Sequence, residues 1–502
     1  MLSGLVLAFA YFPFDLLVPN LVAFLPMLFW LDSRLDAPRR ARLRGGFVFG
    51  LAVHLTILHW MYAMIAISVL AIALYLLLAG LFAACVAISM TAASWLRREL
   101  GWSWAALLPL TWLPVEWAAT WGDTRMTAHH LGNTLSGFPF LVQFADLTGP
   151  YGVGAFLLIV NGLFYDLVDP RSRRRLPSAV ALVLVLAAVV GYDTWKWSHP
   201  PEAIGWIRVA LVQPNIPLVE KMDPDEDERQ WNVLEEMTVR AAKTEKPALV
   251  VWPETARPKA LWHDVSRPET YAMPDVQTLA RDSKVAILAG AEYARIDGNH
   301  RSYYNAAFLV DREGHLDETW TAKVYLVPFV EKTPFEPILG RLLKGRPWLG
   351  GGFRPGPEAT TLGVAGTKVG VLVCYEELYW DLVRKLRNAG SGFAVIITND
   401  AWFGRTVFQE YQANTVRMRA IENRMALVRV ANTGISGFVD PMGRYTGETA
   451  LFVTAVEAED VPITAEKTIY TRYGDYVAWL AIAGLALASA SVTIRERRRR
   501  TA

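Results

Sequence analysis

The stretch Lys368-Val-Gly-Val-Leu-Val-Cys374-Tyr-Glu-Glu377 decides how this chain is read. Residues 369–373 are apolar and rich in β-branched side chains, the composition of a short buried strand, and they carry Cys374 to the strand's carboxyl end. A thiol followed at once by Tyr375, Glu376 and Glu377 is set among polar groups, which is where a reactive cysteine is placed. A cysteine at a strand end is more often a small core hydrophobe. Its meaning therefore rests on what the rest of the chain brings to the same place.

Composition points towards a membrane. Of 502 residues, 53% are hydrophobic and 19 are Trp, and the mean hydropathy is positive, so a membrane protein is the first class to test. The formal net charge of +2 argues against a nucleic-acid partner. Two cysteines, Cys85 in an apolar run and Cys374 at the strand end, cannot build a disulfide framework.

Apolar runs fill the first part of the chain. Residues 2–17 and 18–31 read as two short membrane helices, followed by 46–67, 69–93, 104–121, 148–167 and 177–192, each near the ~20 residues that cross a bilayer. Residues 476–493 make an eighth span. The first run has no basic segment before it and no small-residue cleavage site after it, so a cleaved signal peptide is not expected. Arginine sets the orientation: the clusters at 34–44, 97–98, 171–175 and 495–500 fall on one side of the alternating spans, which the positive-inside rule makes the cytoplasm. Both termini are then cytoplasmic, in the inner membrane of a bacterial cell, and the segment before the last span lies on the periplasmic face. The expected division is a membrane domain of seven helices over 1–193, an extracytoplasmic catalytic domain over 194–472, and an eighth helix with a basic tail over 473–502.

Several polar groups lie within the spans. His54, His59 and Glu116 are costly at membrane depth and are functional candidates on that ground. Trp60, Tyr62 and Trp117 beside them mark an approach to the membrane interface and give the same residues a structural reading. The pair His129-His130 is not expected to hold a metal, because adjacent histidines diverge and no carboxylate or thiol nearby completes a ligand set.

From Ile207 short β-rich runs alternate with helical stretches, the pattern of an α/β domain. Strands are expected over 207–212, 285–291, 304–310, 393–398 and 427–432, and helices over 226–244, 381–388 and 410–424. The run Ala248-Leu-Val-Val-Trp-Pro-Glu254 reads as a strand stopped by Pro253, so that Glu254 emerges at its end. Further on, Thr321-Ala-Lys323 leads into Leu326-Val-Pro-Phe329-Val-Glu331. Glu254, Lys323 and Cys374 thus stand at three strand ends of one domain. A thiol attacks a carbonyl as thiolate, so it needs a base to take its proton and a cation to favour the anion. Glu254 can be that base, and Lys323 can lower the thiol pKa and hold an oxyanion.

These positions resemble the Glu-Lys-Cys triad of the nitrilase (carbon-nitrogen hydrolase) superfamily, in the forms Trp252-Pro-Glu254-Thr-Ala256, Lys323 with Leu326 to Glu331, and Cys374-Tyr-Glu376. With the apolar spans around the domain, nearly the whole chain resembles the apolipoprotein N-acyltransferase family, as do Asn399-Asp-Ala-Trp402-Phe-Gly404, Arg419-Ala-Ile-Glu422, Ala431-Asn-Thr-Gly-Ile-Ser436, Gln143 to Asp146 and Gly149 to Gly152. The resemblance implies a multi-pass α-helical membrane bundle plus an α/β nitrilase-like α-β-β-α sandwich. It implies acyl transfer from a phospholipid, typically phosphatidylethanolamine, through a Cys374 thioester to the α-amine of a diacylglyceryl lipoprotein, with Glu254 as base. Glu331, Tyr375, Glu376, Asn399 and Trp402 are expected to support or shape the site, and no cofactor or metal is implied. The chain departs from the family pattern at Tyr325 and Val330, where His and Gly are common, and at Lys221-Met222, where a Trp follows the lysine. A membrane-tethered amidase or nitrilase-type hydrolase and a non-catalytic lipid- or lipoprotein-binding protein are the alternatives. The large membrane half argues against the first and the intact triad against the second.

Overall fold

The structure is a computed structural model that describes residues 1–11, 13–66, 69–123, 125–328, 330–335, 352–358 and 360–501. Ile67, the end of one expected span, and Phe329, in the lysine motif, lie outside the described residues. The chain folds into two compact units. Met1–His199, Arg405–Tyr411 and Tyr473–Ala502 form the first, and Pro200–Gly404 with Gln412–Arg472 form the second.

The first unit is helical: α1 (Leu2–Ala8), α2 (Leu17–Val22), α3 (Leu25–Asp32), α4 (Arg39–Ile57), α5 (Leu70–Leu100), α6 (Trp104–Ala118), α7 (Ala145–Val168) and α8 (Arg175–Ser198), with a last helix from the C-terminal end of the chain, Tyr476–Thr501. Among the described residues four helices are long and apolar enough to cross a bilayer: Ala71–Leu100, Ala145–Val168, Arg175–Ser198 and Tyr476–Arg499. The other apolar runs form shorter or broken helices. Proline and glycine shape several of the helices. Runs 2–17 and 18–31 break into three short pieces, and Pro26 sits in the first turn of α3, where a proline starts a helix at no cost in hydrogen bonds. Helix α6 carries Pro109 and Pro114 within 15 residues. In α7 the kink falls at Gly149, whose φ of 65° only glycine adopts freely, next to Pro150.

Small residues let these helices meet closely. A Cβ on Gly46 would stand 2.8 Å from Ala87 Cα, and one on Gly50 2.8 Å from Ala83 Cα, so α4 and α5 pack backbone to backbone. Outward, Leu76 and Leu77 of α5, Val183 and Leu184 of α8, and Leu480 and Leu487 of the last helix are exposed. Such an exterior suits hydrocarbon and not water. Arginines from two of the clusters lie near one another: Asp32 pairs with Arg97 and lies 3.7 Å from Arg171, and Arg174 Nη2 donates to the Gly101 carbonyl at 2.6 Å.

The second unit is built on two sheets. One contains β1 (Ala203–Gln213), β2 (Leu249–Val251), β3 (Leu261–Asp264), β4 (Ala286–Asp297), β5 (His300–Val310), β6 (Leu316–Ala322) and a C-terminal strand, Ala455–Thr464. The other contains β7 (Thr361–Val364), β8 (Thr367–Val373), β9 (Phe393–Thr398), β10 (Ala426–Ala431), β11 (Gly437–Val439) and β12 (Tyr445–Thr446), which makes Ala455–Thr464 β13. The orders are β13-β1-β2-β4-β5-β6, with β3 paired to β4, and β12-β11-β10-β9-β8-β7. The inner strands β1, β2 and β4 run parallel, as do β8, β9 and β10. Their residues are buried on both faces, which explains why they read as unbroken apolar runs. Between β1 and β10 the sheets meet; a short helix α9 (Leu218–Lys221) follows β1, helices α10 (Asp227–Thr244) and α11 (Pro274–Ser283) cover the first sheet, and α12 (Trp380–Asn388) covers the second. The layers are therefore α-β-β-α.

Trp252, fully buried directly before Pro253, anchors α10 to the first sheet: its Nε1 donates to Thr238 Oγ1 at 2.9 Å. Trp252→Ala is expected to destabilise the second unit by about 3–5 kcal/mol, and Thr238→Val, which strands the indole N–H, by about 1–3 kcal/mol. Thermal unfolding of the two purified variants in detergent checks the ranking.

Candidate active site

The parallel inner strands end where the reactive groups begin. β2 stops at Val251 and the chain turns through Pro253, delivering Glu254, 5% exposed, to the end of the first sheet. Each carboxylate oxygen of Glu254 has a donor. Asn305 Nδ2, on β5 of the same sheet, donates to Oε1 at 2.6 Å, and the Asn399 backbone N–H, at the end of β9 in the other sheet, donates to Oε2 at 2.8 Å. Burial raises the Glu254 pKa above the ordinary carboxyl value, against the pull of Lys323 and those two donors. A base so held is more basic than a free carboxylate.

Lys323 follows β6 and is 1% exposed. Its backbone N–H donates to the Asn305 carbonyl at 2.8 Å, while Nζ donates to Glu331 Oε1 at 2.8 Å and lies 4.0 Å from Glu254 Oε1. Glu331 Oε2 in turn accepts the Val327 N–H at 2.8 Å, closing the lysine loop on itself. Desolvation works against the ammonium, but Cys374, Glu331 and Glu254 outweigh it and hold the pKa above the usual range. Lys323 is a permanent cation between two carboxylates.

Cys374 stands one residue past β8, 7% exposed, with φ of 60°. A left-handed conformation at a side-chain-bearing residue is strained, and here it forms the sharp turn that lifts the thiol off the strand. Burial pushes the thiol pKa well up, Glu254 adds to the rise, and Lys323 lowers it without prevailing. The expected lowering by Lys323 is present, but burial and the neighbouring carboxylates outweigh it. The resting group is the neutral thiol, because a dry site with three carboxylates nearby disfavours one more anion.

Glu376 closes the arrangement. Its Oε1 accepts the N–H groups of Val324 and Tyr325, at 2.6 and 2.9 Å, and its Oε2 accepts the Val373 N–H at 2.8 Å. One carboxyl therefore ties the segment after Lys323 to the residue before Cys374. Burial raises its pKa to about 7 against those backbone donors.

Of the other expected residues, Tyr375 shares a hydrogen bond with the Tyr379 hydroxyl, and the two rings meet edge to face at 5.0 Å. Asn399 acts on Glu254 through its backbone, while its side-chain oxygen accepts Asn432 Nδ2 at 3.0 Å. Trp402 is half-buried in the 3-10 turn Asp400–Phe403. The departures are also placed: Tyr325 donates to Asp381 Oδ2 on α12 at 2.5 Å, and Val330 and Met222 are exposed. In the first unit, His54 Nδ1 lies 2.8 Å from the Gly50 carbonyl one turn back, and His59 is exposed. Buried Glu116 accepts the Leu131 N–H at 2.8 Å and meets His130 Nε2 at 3.1 Å, which holds the loop after α6.

Three contributors have no signal in the sequence reading. Asn305 links Glu254 to Lys323. Gly290 lies so close behind the base that a Cβ there would stand 2.2 Å from the Pro253 carbonyl and 3.0 Å from Glu254 Cα. Arg429, fully buried on β10, donates to both oxygens of Glu377, at 2.8 and 2.9 Å, and to Asp400 Oδ2 at 3.1 Å, bracing the turns after Cys374 and Asn399.

Residues 3–163 match the apolipoprotein N-acyltransferase N-terminal domain, and residues 208–460 match the carbon-nitrogen hydrolase family. The chain is 33% identical to the apolipoprotein N-acyltransferase of Geobacter metallireducens, covering 97% of this chain and 94% of that one. The chain belongs to the apolipoprotein N-acyltransferase family. The apolipoprotein N-acyltransferase of Brucella melitensis is 31% identical, over 92% of this chain and 88% of its own. An amidase of the nitrilase superfamily from Nesterenkonia aligns in structure with 55% of this chain and 95% of its own, at 19% identity and a TM-score of 0.36. As a family member the chain is an acyltransferase of the carbon-nitrogen hydrolase superfamily.

Two outcomes test the geometry. Gly290→Ala pushes the Pro253–Thr255 turn, where Thr255 already has φ of 45°, and is expected to lower the acylation rate about 100-fold with the fold retained; a wild-type rate would show that the turn does not aim the base. A carboxyl with a pKa of about 7 takes up a proton as the pH falls through that value, and one N–H then loses its acceptor. Acylation is therefore expected to decline below about pH 7 with a midpoint that Glu376→Gln abolishes while being slow already at pH 8. A midpoint surviving in that variant belongs to another group.

Proposed function

We propose that this apolipoprotein N-acyltransferase family member completes lipoprotein N-acylation in two steps through a thioester on Cys374. The observation that carries the reading is the convergence of Glu254, Lys323 and the Cys374 turn at three strand ends in one buried site. In the first step Sγ attacks the ester carbonyl of a phospholipid, phosphatidylethanolamine in the first instance, as Glu254 takes the thiol proton. Lys323, kept charged by Glu331, balances the oxyanion. The C–O bond breaks, Glu254 returns the proton to the leaving alkoxide, and a lysophospholipid departs. In the second step the α-amine of a diacylglyceryl-modified N-terminal cysteine attacks the thioester. Its proton passes through Glu254 to the departing sulfur as the amide forms.

Glu376 fixes the lysine and cysteine segments relative to each other, Asn399 holds the base, and Tyr375 and Trp402 line its surroundings. The exposed apolar helices and the arginine ends of the first unit support an inner-membrane protein with both termini cytoplasmic and the second unit periplasmic. The domains in that arrangement are 1–193, 194–472 and 473–502. Two substrates anchored by acyl chains in one leaflet then reach the site by diffusion in two dimensions.

Intact mass measurement after incubation with phosphatidylethanolamine is expected to show an acyl increment on Cys374, which a diacylated lipopeptide with a free amine removes and acquires. Cys374→Ser is expected to remain folded and to form no acyl product. Decay of the increment at the same rate without lipopeptide would make the protein a hydrolase, and transfer by Cys374→Ser would overturn the mechanism.

A further inference from the structure

We infer that Asn305 is a second amine-binding residue: its side-chain oxygen takes the N–H that the acceptor amine keeps when it becomes an amide. Asn305 is 3% exposed. The orientation of its amide is set by chemistry, since the Glu254 carboxylate 2.6 Å away accepts and does not donate, so that Nδ2 faces Glu254 and Oδ1 faces away. Among the described residues this buried Oδ1 has no hydrogen-bond partner. Its backbone is fixed on both sides, in register with Glu292 on β4 and through its carbonyl to the Lys323 N–H at 2.8 Å, so it cannot swing away to find one. A buried acceptor held beside the base calls for a donor.

The two half-reactions supply different donors. In thioester formation the attacking group is a thiol with one hydrogen, which goes to Glu254. In aminolysis the attacking nitrogen carries two. One passes to Glu254 as the N–C bond forms and the C–S bond breaks. The other stays on nitrogen into the product amide and needs an acceptor within the same pocket. Asn305 is the residue that offers one atom to the base and the next atom to the nucleophile, so it acts twice in the second step and once in the first. This inference rests on the thioester reading above and concerns only how the thioester is consumed.

The test compares two lipopeptide acceptors, one with a primary α-amine and one N-methylated so that a single N–H remains. Wild-type protein is first acylated on Cys374, which checks the thioester itself; if no acyl-enzyme forms, it is the proposed function that fails. With acyl-enzyme in hand, the preference for the primary over the methylated amine is measured as a ratio of kcat/KM values. Asn305→Ala is expected to lower that ratio about 10-fold, because only the primary amine has a hydrogen to lose contact with Oδ1. Asn305→Asp, which keeps the side-chain volume, controls for the room that Asn305→Ala opens around the methyl group. Asn305→Asp keeps an acceptor oxygen and loses the donor to Glu254, so it is expected to slow thioester formation while retaining the amine preference. An unchanged ratio in Asn305→Ala, which is what a merely structural role gives, or a ratio lost equally in Asn305→Asp, would overturn the inference.

Discussion

A carboxylate buried between two sheets is the constraint on which the site depends. Glu254 can lie in the interior only because one oxygen is held by Asn305 from its own sheet and the other by the Asn399 backbone from the facing sheet. Without those donors the group would bear an uncompensated desolvation penalty of several kcal/mol. The sandwich must therefore keep the middle of β5 and the end of β9 in one relation, and Lys323 inherits its place through the Asn305 carbonyl. The same requirement explains the bracing further out. Arg429 spans the turns behind Cys374 and Asn399, and Glu376 binds three backbone amides from two segments.

The electrostatic consequence is a site that does not hold a standing thiolate. Three carboxylates, Glu254, Glu331 and Asp400, act on the Cys374 thiol in the direction that burial already favours, and one lysine opposes them. A thiolate held permanently in the path of lipid and lipoprotein would be exposed to oxidation and to idle chemistry. A buried thiol whose pKa is held up rests neutral and is spared that chemistry.

The helical unit obeys a different solvent. Its outward side chains are apolar, its helices meet through glycine, and its arginines gather where Asp32 receives Arg97 and Arg171. Inside it, Glu116 is not an isolated charge but the acceptor that secures the loop carrying His130 and Leu131. Ionisable groups at such depth persist where they satisfy backbone donors that lipid cannot.

Sequence alone determined whatever depends on neighbours along the chain. The apolar, β-branched runs at 207–212, 393–398 and 427–432 emerge as β1, β9 and β10, and the residues following the strands at Glu254, Lys323 and Cys374 were legible as a triad, because parallel inner strands are buried on both faces and declare themselves without reference to partners. The edge strand β13 was not legible, since its polar residues are stabilised by pairing with β1 more than 200 positions away, and neither was the kink at Gly149 in α7. Only the tertiary structure decided what surrounds the triad. Asn305, Gly290 and Arg429 lie within expected strands that give them no mark of their own, yet each is defined by a group 29 to 52 positions distant in the chain or by contact across the sandwich. The direction of the Cys374 pKa was decided there too. A lysine near a thiol is visible in sequence, but burial and the summed field of the surrounding carboxylates are properties of the folded site.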